Sequence, residues 1–150
     1  MVSDPVGRVV GGRTDVHDDA WEGVSAVIRL DGRFGPEALA RAGLLLAPGS
    51  RLPLRPGPGR LGGDRGAHPR GNTDWPLVGI FARRGKNRPN LLGVSRCRLL
   101  RVDGLDVHVR GLDAVDGTPV LDIKPYMSGF GPRGATSRPE RATQIMRRYC

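Results

Sequence analysis

Two alternating runs joined by Asp103-Gly104 constrain the fold of this chain more than any other feature. The runs are Cys97 to Val102 and Leu105 to Arg110. Asp-Gly between such runs predicts a β-hairpin, because a type I′ turn needs a positive φ at both central positions. His108 would lie on the outer face of its strand, since a valine stands on either side of it. The hairpin therefore indicates an antiparallel sheet.

The rest of the chain carries further short elements. Three more segments predict strands: Gly23 to Leu30, Leu77 to Ala82 and Val120 to Ile123. Pro36 to Arg41 predicts a short helix with proline in its first turn. Ser137 and Glu140 form a capping box that predicts a C-terminal helix. Short strands with turn signals favour a small antiparallel barrel or sandwich, in a single domain over residues 1–150, over βαβ units.

The charge balance favours a polyanionic partner. Lys and Arg number 24 against 15 Asp and Glu, a formal net charge of +9. RNA or DNA is the commonest partner of such a surface, although a basic protein without one has the same balance. Lys86 and Lys124 are the only lysines, and arginine suits phosphate and bases. A GC-rich gene would produce the same preference for arginine.

Other function classes find little support in the sequence. No glycine-rich nucleotide loop follows a predicted strand, so a Rossmann cofactor site is not indicated. Cys97 and Cys150 lack the spacing of a metal site, and Cys97 is interpreted as a small core residue. The sequence shows no secretory leader and no apolar run long enough to span a membrane, so the cytoplasm is the expected location.

Residues 41–66 differ in composition from the rest of the chain. These 26 residues include seven Gly, four Pro, five Arg and six Leu, with no aromatic residue. A low-complexity linker is the ordinary interpretation, but a linker inside one small domain is unusual. We interpret the segment as a reading-frame error, because a one-nucleotide shift lets Arg51 to Gly57 encode V-F-H-F-D-Q-V. We expect the segment to lie outside regular sheet.

Three motifs after this segment carry a family resemblance. They are HPRGN at His68 to Asn72, PLVGIFARRGKNRPN at Pro76 to Asn90 with Leu92 to Ser95 following, and DAVDGTPVLDIKPY at Asp113 to Tyr126. Together they resemble the TsaA-like family, whose characterised members methylate a threonylcarbamoyl-modified adenosine next to the anticodon of tRNA. The resemblance implies a small β-barrel with a short C-terminal helix, S-adenosyl-L-methionine as cofactor, tRNA as partner, no metal, and a homodimer that completes the site.

The resemblance also implies site residues. It assigns cofactor contacts to Asp19, Ala20, Trp21, Arg84, Val94, Asp116, Gly117, Thr118 and Pro119. It assigns substrate contacts to Arg88, Asn90, Lys124 and Tyr126. An arginine can hold the cofactor carboxylate with two hydrogen bonds, and a glycine in the turn allows close approach. Positioning can supply much of the rate of an in-line methyl transfer, and no residue is assigned as general base.

Other interpretations of these residues stay open. Asp116-Gly117 is also typical of a hairpin turn. Independently, Arg88 to Asn90 is also typical of an ordinary loop in which Arg88 is solvated. An arginine surface of Arg83, Arg88 and Arg70 is the expected contact for RNA. The alternative functions are a cofactor-binding or RNA-binding module without turnover, and a decayed, inactive copy of the enzyme.

Overall fold

The computed structural model is built on one antiparallel sheet, and it describes residues 4–16, 19–39, 45–51, 66–84, 88, 91–147 and 149. The strands are β1 Gly7–Val10, β2 Ser25–Leu30, β3 Leu45–Arg51, β4 Leu92–Arg96, β5 Arg98–Asp103, β6 Asp106–Arg110, β7 Pro119–Val120 and β8 Lys124–Pro125. One α-helix, α1 Glu140–Met146, follows them. The expected mainly β class with a short C-terminal helix is confirmed.

The order of the strands brings the two ends of the sheet close in the chain. The order is β4-β3-β7-β1-β2-β6-β5, with β8 pairing beside β3. Among the described residues β4 and β5 do not pair with each other, so the ladder is open. Cys97 alone separates these two terminal strands in sequence. The antiparallel sheet is thus established, and its closure into a barrel stays a prediction.

The core lies under the inward face of the central strands. Ile28, Val107 and Val109 are fully buried, together with Val9 of β1 and Val120 of β7. These residues alternate with exposed or half-buried neighbours because successive side chains of a strand point to opposite faces. This periodicity is what makes one face of the sheet a core.

Two predictions about individual core-strand residues are confirmed. His108 is half-buried on the outer face, between the two buried valines of β6. Cys97 is buried in the core, and burial raises the pKa of its thiol to about 11. A thiol in this environment stays protonated and behaves as a small apolar side chain.

The predicted hairpin is present, but its turn differs from the expected one. Asp103 pairs with Asp106, so the two loop residues are Gly104 and Leu105. Gly104 has a φ of +59°, whereas Leu105 is not among the described residues with positive φ. A positive φ at the first central position alone is the pattern of a type II′ turn. The Asp-Gly pair is therefore shifted by one residue from the type I′ position.

Several predicted elements are shorter or of another kind. Leu77 to Ala82 is not a strand: Val78 makes an isolated bridge to Ala67, and Ile80–Ala82 forms a 3-10 turn. Only Val120 of Val120 to Ile123 lies in a strand. The helix predicted at Pro36 to Arg41 is the 3-10 turn Pro36–Leu39 within the described residues.

The start of the C-terminal helix is also corrected. Helix α1 begins at Glu140, its cap residue is Pro139, and no side chain caps it. The expected capping box of Ser137 with Glu140 is therefore wrong, because Ser137 stands outside the helix and Pro139 occupies the cap position. The fixed φ of proline suits an entry into a helix.

The expectation that residues 41–66 lie outside regular sheet is wrong for Leu45–Arg51. This stretch is β3, and it pairs with β4 on one side and with β7 and β8 on the other. The register shifts between Pro48 and Ser50, which leaves Gly49 as an extra residue. A bulge of this kind accommodates a proline that cannot donate to the ladder. Leu52 to Arg55 lies outside the described residues.

Candidate functional site

Arg13 holds the expected N-terminal cofactor segment in place. Its guanidinium donates to the carbonyl oxygens of Asp19 at 2.8 Å and Ala20 at 3.0 Å. The same group lies 4.8 Å from the centre of the Trp21 ring. Trp21 itself is buried. One side chain therefore fixes the three consecutive residues that the resemblance assigns to the cofactor.

The Asp116 turn is bound to the same part of the molecule. The Asp116 N–H donates to the Arg13 carbonyl at 2.8 Å, and the Asp116 carboxylate accepts from the Gly11 N–H at 2.8 Å. Gly117 has a φ of +76°, and a Cβ built there would meet no atom within 4 Å. The turn thus needs glycine for its backbone conformation and leaves open space beside it.

The N–H groups of this turn are already used within the protein. The Gly117 N–H donates to Val9, the Thr118 N–H donates to Val115, and the Thr118 carbonyl accepts from Val9. The Thr118 hydroxyl is different: it is fully buried and has no hydrogen-bond partner among the described residues. A buried hydroxyl without a partner is unusual and marks this position for a ligand or a water molecule.

Arg84 and Val94 join the same region from the opposite side. The Arg84 guanidinium is exposed and donates to the Val94 carbonyl at 3.3 Å. Beside Val94 in β4, the Ser95 hydroxyl accepts from the Asp113 N–H at 2.9 Å. Asp113 begins the stretch that leads into the Asp116 turn. The two halves of the expected cofactor site are therefore linked through Ser95.

Tyr149 completes the link between these segments. Its hydroxyl donates to the Asp113 carboxylate at 2.6 Å, and its carbonyl accepts from the Trp21 N–H at 3.1 Å. A continuous path of hydrogen bonds and chain neighbours now runs from Arg84 to Trp21. Arg84, Val94 and Trp21 lie on this path, and Asp19 and Ala20 directly precede Trp21. The segment Asp116 to Pro119 joins it through the hydrogen bonds of Arg13.

Unusual backbone conformations cluster around the same segments. Ala20, Arg70 and Leu91 are the non-glycine residues with positive φ in the described part of the chain. Arg70 makes two hydrogen bonds to the carboxylate of Asp19, at 2.6 Å and 3.1 Å. Each such conformation is strained, and strain of this kind concentrates at functional sites. Arg70 is occupied by Asp19, so it is not a free contact for RNA.

The arginine at position 88 also has a structural role. Its guanidinium donates to the carbonyls of Ile80 at 2.5 Å and Arg83 at 3.1 Å, and it lies 5.4 Å from the centre of the Phe81 ring. Arg88 is therefore partly buried and hydrogen-bonded to its own loop, and its contact with the substrate stays a prediction. Arg83 differs, because its Nε atom is buried and has no partner among the described residues.

The remaining expected substrate residues lie farther along the sheet. Lys124 in β8 and Arg96 in β4 flank Leu46 of β3 from its two sides, about 10 Å apart across two strand spacings. Lys124 pairs with Asp122 at 2.6 Å on the exposed surface. Tyr126 is 39% exposed. Asn90 lies outside the described residues, and among those described no hydrogen bond or ion pair joins Lys124 or Tyr126 to the cofactor path.

Two central residues of the site were missed in the sequence. Arg13 stands among polar residues without a motif, so no local signal distinguishes it. Tyr149 has the helical spacing of an apolar face, but it follows the end of α1 and contacts Asp113 and Trp21 instead. The contacts of the folded chain identify both residues.

The donor set suits an organic, partly anionic ligand. No cluster of three or more His, Cys, Asp or Glu suited to a metal occurs in the described part of the chain. The same residues contain no helix with the length and apolar character needed to cross a bilayer. What the site offers is an exposed guanidinium at Arg84, carbonyl acceptors and a carboxylate on the Asp116 turn, and the buried Thr118 hydroxyl.

Comparison with known proteins matches the part of the chain that carries this site. Residues 65–131 match the family model of the tRNA-methyltransferase O N-terminal domain. A mouse protein (Mus musculus) named tRNA (adenine(37)-N6)-methyltransferase is 46% identical over 53 residues, which are 35% of this chain and 12% of that protein. A protein of Archaeoglobus fulgidus named "Probable S-adenosyl-L-methionine-binding protein" is 56% identical over 50 residues, 33% of this chain and 14% of that protein.

The fold is shared with a solved structure over almost the whole chain. The crystal structure of TrmO from Pseudomonas aeruginosa has a TM-score of 0.64 and 22% identity, and the likeness covers 91% of this chain and 60% of that one. This likeness covers more of the chain than the family model does. The chain spans well under two thirds of the two curated relatives' length. Segment 65–131 is thus similar to the tRNA-methyltransferase O N-terminal domain, and the chain shares the fold of the solved TrmO structure.

Proposed function

We propose that this protein is an S-adenosyl-L-methionine-dependent methyltransferase that acts on tRNA. Its substrate would be the exocyclic nitrogen of threonylcarbamoyl-modified adenosine next to the anticodon. The observation that carries the proposal is the hydrogen-bonded path from Arg84 to Trp21, which unites three segments far apart in sequence. The name of the mouse relative, a tRNA (adenine(37)-N6)-methyltransferase, supports the substrate.

The residues on this path suit the chemical groups of the cofactor. Arg84 is exposed and would hold the carboxylate through charged hydrogen bonds. The N–H groups of the Asp116 turn are used internally, so the turn would serve ribose hydroxyls and the adenine amino group through acceptors. The Thr118 hydroxyl supplies a buried donor that lacks a partner among the described residues. Val94 and Pro119 add apolar or half-buried surface.

The protein would contribute position and water exclusion. When bound, S-adenosyl-L-methionine supplies a methyl group on a sulfonium sulfur. Arg13 fixes Asp19 to Trp21, and Tyr149 fixes Asp113, so the segments around the ligand are ordered before it binds. Pre-ordered groups lower the entropy lost on binding and hold the reacting atoms in line. Arg88 would act by shaping the Phe81 loop, and Lys124 and Tyr126 would meet the RNA.

We also propose that the sheet closes into a small barrel and that two chains pair. Cys97 connects β4 and β5, the two end strands of the sheet. The Asp113 N–H donates to the Ser95 hydroxyl of β4. Both observations support closure of the sheet into a barrel. Leu92 and Val94 of β4 are 44% and 54% exposed. An edge strand with exposed apolar side chains favours a partner subunit. The cytoplasm, where tRNA is modified, is the proposed location.

Methyl transfer tests the proposed function directly. Labelled S-adenosyl-L-methionine is incubated with the protein and with tRNA that carries or lacks the threonylcarbamoyl group. We expect label to enter the modified tRNA alone. The Arg84→Ala variant should bind the cofactor more weakly by about 1.5 kcal/mol, near the lower bound for a charged hydrogen bond because the side chain is exposed. Calorimetry measures this difference.

Arg96→Ala is the matched control for that variant. Arg96 is an exposed arginine of β4, two residues from Val94, and no partner is found for it among the described residues. Its loss should leave cofactor affinity unchanged. Equal affinities for wild type and Arg84→Ala, or equal losses in the two variants, would remove Arg84 from the cofactor site.

A binding module without turnover is the second candidate. The Archaeoglobus fulgidus relative, which is named for binding and not for catalysis, favours it. In that case calorimetry would detect cofactor binding, but no label would enter either tRNA. A decayed copy of the enzyme would show neither binding nor transfer, and a corrected reading frame at residues 41–66 would restore both.

A further inference from the structure

We propose that Phe81 is a stacking surface for a nucleobase of the bound RNA. The inference rests on the proposed function, and it specifies how the RNA is held beside the cofactor site. Phe81 is 79% exposed, although phenylalanine is usually buried. Isolated exposed apolar residues are common, so exposure alone carries no argument. The contacts and charges around the ring support the proposal.

The Phe81 ring is held in position by its own loop. Ile80, directly before it, is 5% exposed and anchors the Ile80–Ala82 turn to the interior. Arg88 crosses the loop, donates to the carbonyls of Ile80 and Arg83, and places its guanidinium 5.4 Å from the ring centre. A ring that is fixed before binding loses little conformational entropy when a base stacks on it.

The charge around Phe81 fits a nucleic acid. Arg83 and Arg84 follow within three residues, and neither makes an ion pair among the described residues. Arg88 makes its two hydrogen bonds to neutral carbonyls, so its charge is also uncompensated. An exposed aromatic ring beside an arginine, with further arginines in the same segment, is an arrangement that suits unpaired RNA bases. Arg84 also belongs to the cofactor path, which puts the platform next to the methyl donor.

A second exposed phenylalanine provides a matched control. Phe130 is 89% exposed on another 3-10 turn, Ser128–Phe130. No arginine lies over its ring in the described part of the chain, whereas one lies over Phe81. If exposure alone mattered, the two rings would behave alike. The proposed stacking requires that Phe81, and not Phe130, contributes to the affinity for RNA.

The experiment measures the affinity of the full chain for purified tRNA and for inorganic polyphosphate, a polyanion without bases. Phe81→Ala should weaken tRNA binding about tenfold, which corresponds to about 1.4 kcal/mol. Polyphosphate binding should not change, and the salt dependence should keep its slope, because stacking releases no counterions. Phe130→Ala should bind tRNA within twofold of wild type.

A fluorescent variant keeps the test independent of folding defects. In Phe81→Trp, tRNA should quench the added indole emission relative to wild type, and polyphosphate should not. Unchanged tRNA affinity in Phe81→Ala, equal losses for polyphosphate, or equal losses in Phe130→Ala would overturn the platform. A change in sedimentation of Phe81→Ala would instead assign the ring to a subunit contact and overturn it too.

The outcomes separate this inference from the proposed function. Suppose that tRNA binding depends on Phe81 as expected but that the wild type transfers no methyl group. The proposed activity is then wrong, and the stacking role of Phe81 is retained. If wild type methylates tRNA and Phe81→Ala binds it normally, the platform alone fails.

Discussion

Arg13 offers the sharpest test of how the site is held together. In Arg13→Ala, the carbonyls of Asp19 and Ala20 lose a charged donor, and the Trp21 ring loses a cation at 4.8 Å. A hydrogen bond to a charged group contributes about 1.5–3 kcal/mol and an exposed cation–π contact about 0.5–1 kcal/mol. Both carbonyls are near solvent, so water replaces part of the loss. We expect a total of about 2 kcal/mol.

Two measurements check this value. Urea unfolding gives the change in the free energy of unfolding, and calorimetry gives the change in affinity for S-adenosyl-L-methionine. Both should fall, because the loop must be re-ordered by the ligand once Arg13 no longer holds it. Arg13→Lys should restore less than half of the free energy lost in Arg13→Ala, since one ammonium cannot reach both carbonyls and lacks the planar fork.

Arg8→Ala is the control for lost charge. Arg8 is an exposed arginine of β1 without a partner among the described residues, and its removal should change stability by less than about 0.5 kcal/mol. If Arg13→Ala and Arg8→Ala were equally stable and bound the cofactor equally, Arg13 would have no positioning role.

Three further predictions concern the core, the C-terminal contact and the gene. In a Cys150→Ser background, Cys97 should resist alkylation at pH 8 until urea unfolds the protein. Burial raises the pKa of the Cys97 thiol from 9.0 to about 11, so its contribution to stability is complete below pH 9 and is lost as pH rises towards 11. Urea midpoints measured across that pH range would reveal this loss. Tyr149→Phe removes the exposed hydrogen bond to Asp113 and should lower the free energy of unfolding by about 1 kcal/mol in the same assay, with cofactor affinity also reduced. Re-sequencing should place residues 41–66 in another frame, and the corrected protein should unfold at higher urea and methylate faster; a verified gene in the present frame that encodes a fully active protein would contradict this.

Local sequence signals predicted the elements whose cause is local. The β2 strand and the β5–β6 hairpin follow from alternation, and Cys97 follows from its apolar neighbours. The strand prediction for Leu77 to Ala82 was wrong because an apolar run does not specify a strand when no neighbouring strand is available to pair with it. The prediction that residues 41–66 contain no strand was wrong for the opposite reason. The composition of β3 disfavours a strand, but β4, β7 and β8 supply hydrogen-bond partners on both sides.

The site could be predicted only as far as its motifs extend. Arg84, Val94 and the Asp116 turn lie in contiguous segments that resemble a family. Arg13 acts on carbonyls six and seven residues later, and Tyr149 contacts the carboxylate of Asp113, 36 residues earlier; no motif announces either contact. The internal use of Arg70 and Arg88 was not predictable either, because an arginine's partner is a property of the folded chain. Of the predicted RNA contacts Arg83, Arg88 and Arg70, the last two also bind groups of the protein itself.

The position of β3 has a consequence for how the chain folds. β5 and β6 are joined by a two-residue loop and can form early, whereas β3 must insert between β4 and β7, strands that begin more than 40 residues later. Contacts between distant segments form slowly because the loop must close first. β3 therefore docks late, and defects in residues 41–66 should accelerate unfolding while leaving the refolding rate nearly unchanged. A flawed segment at this place lets the protein fold and shortens the time that it stays folded.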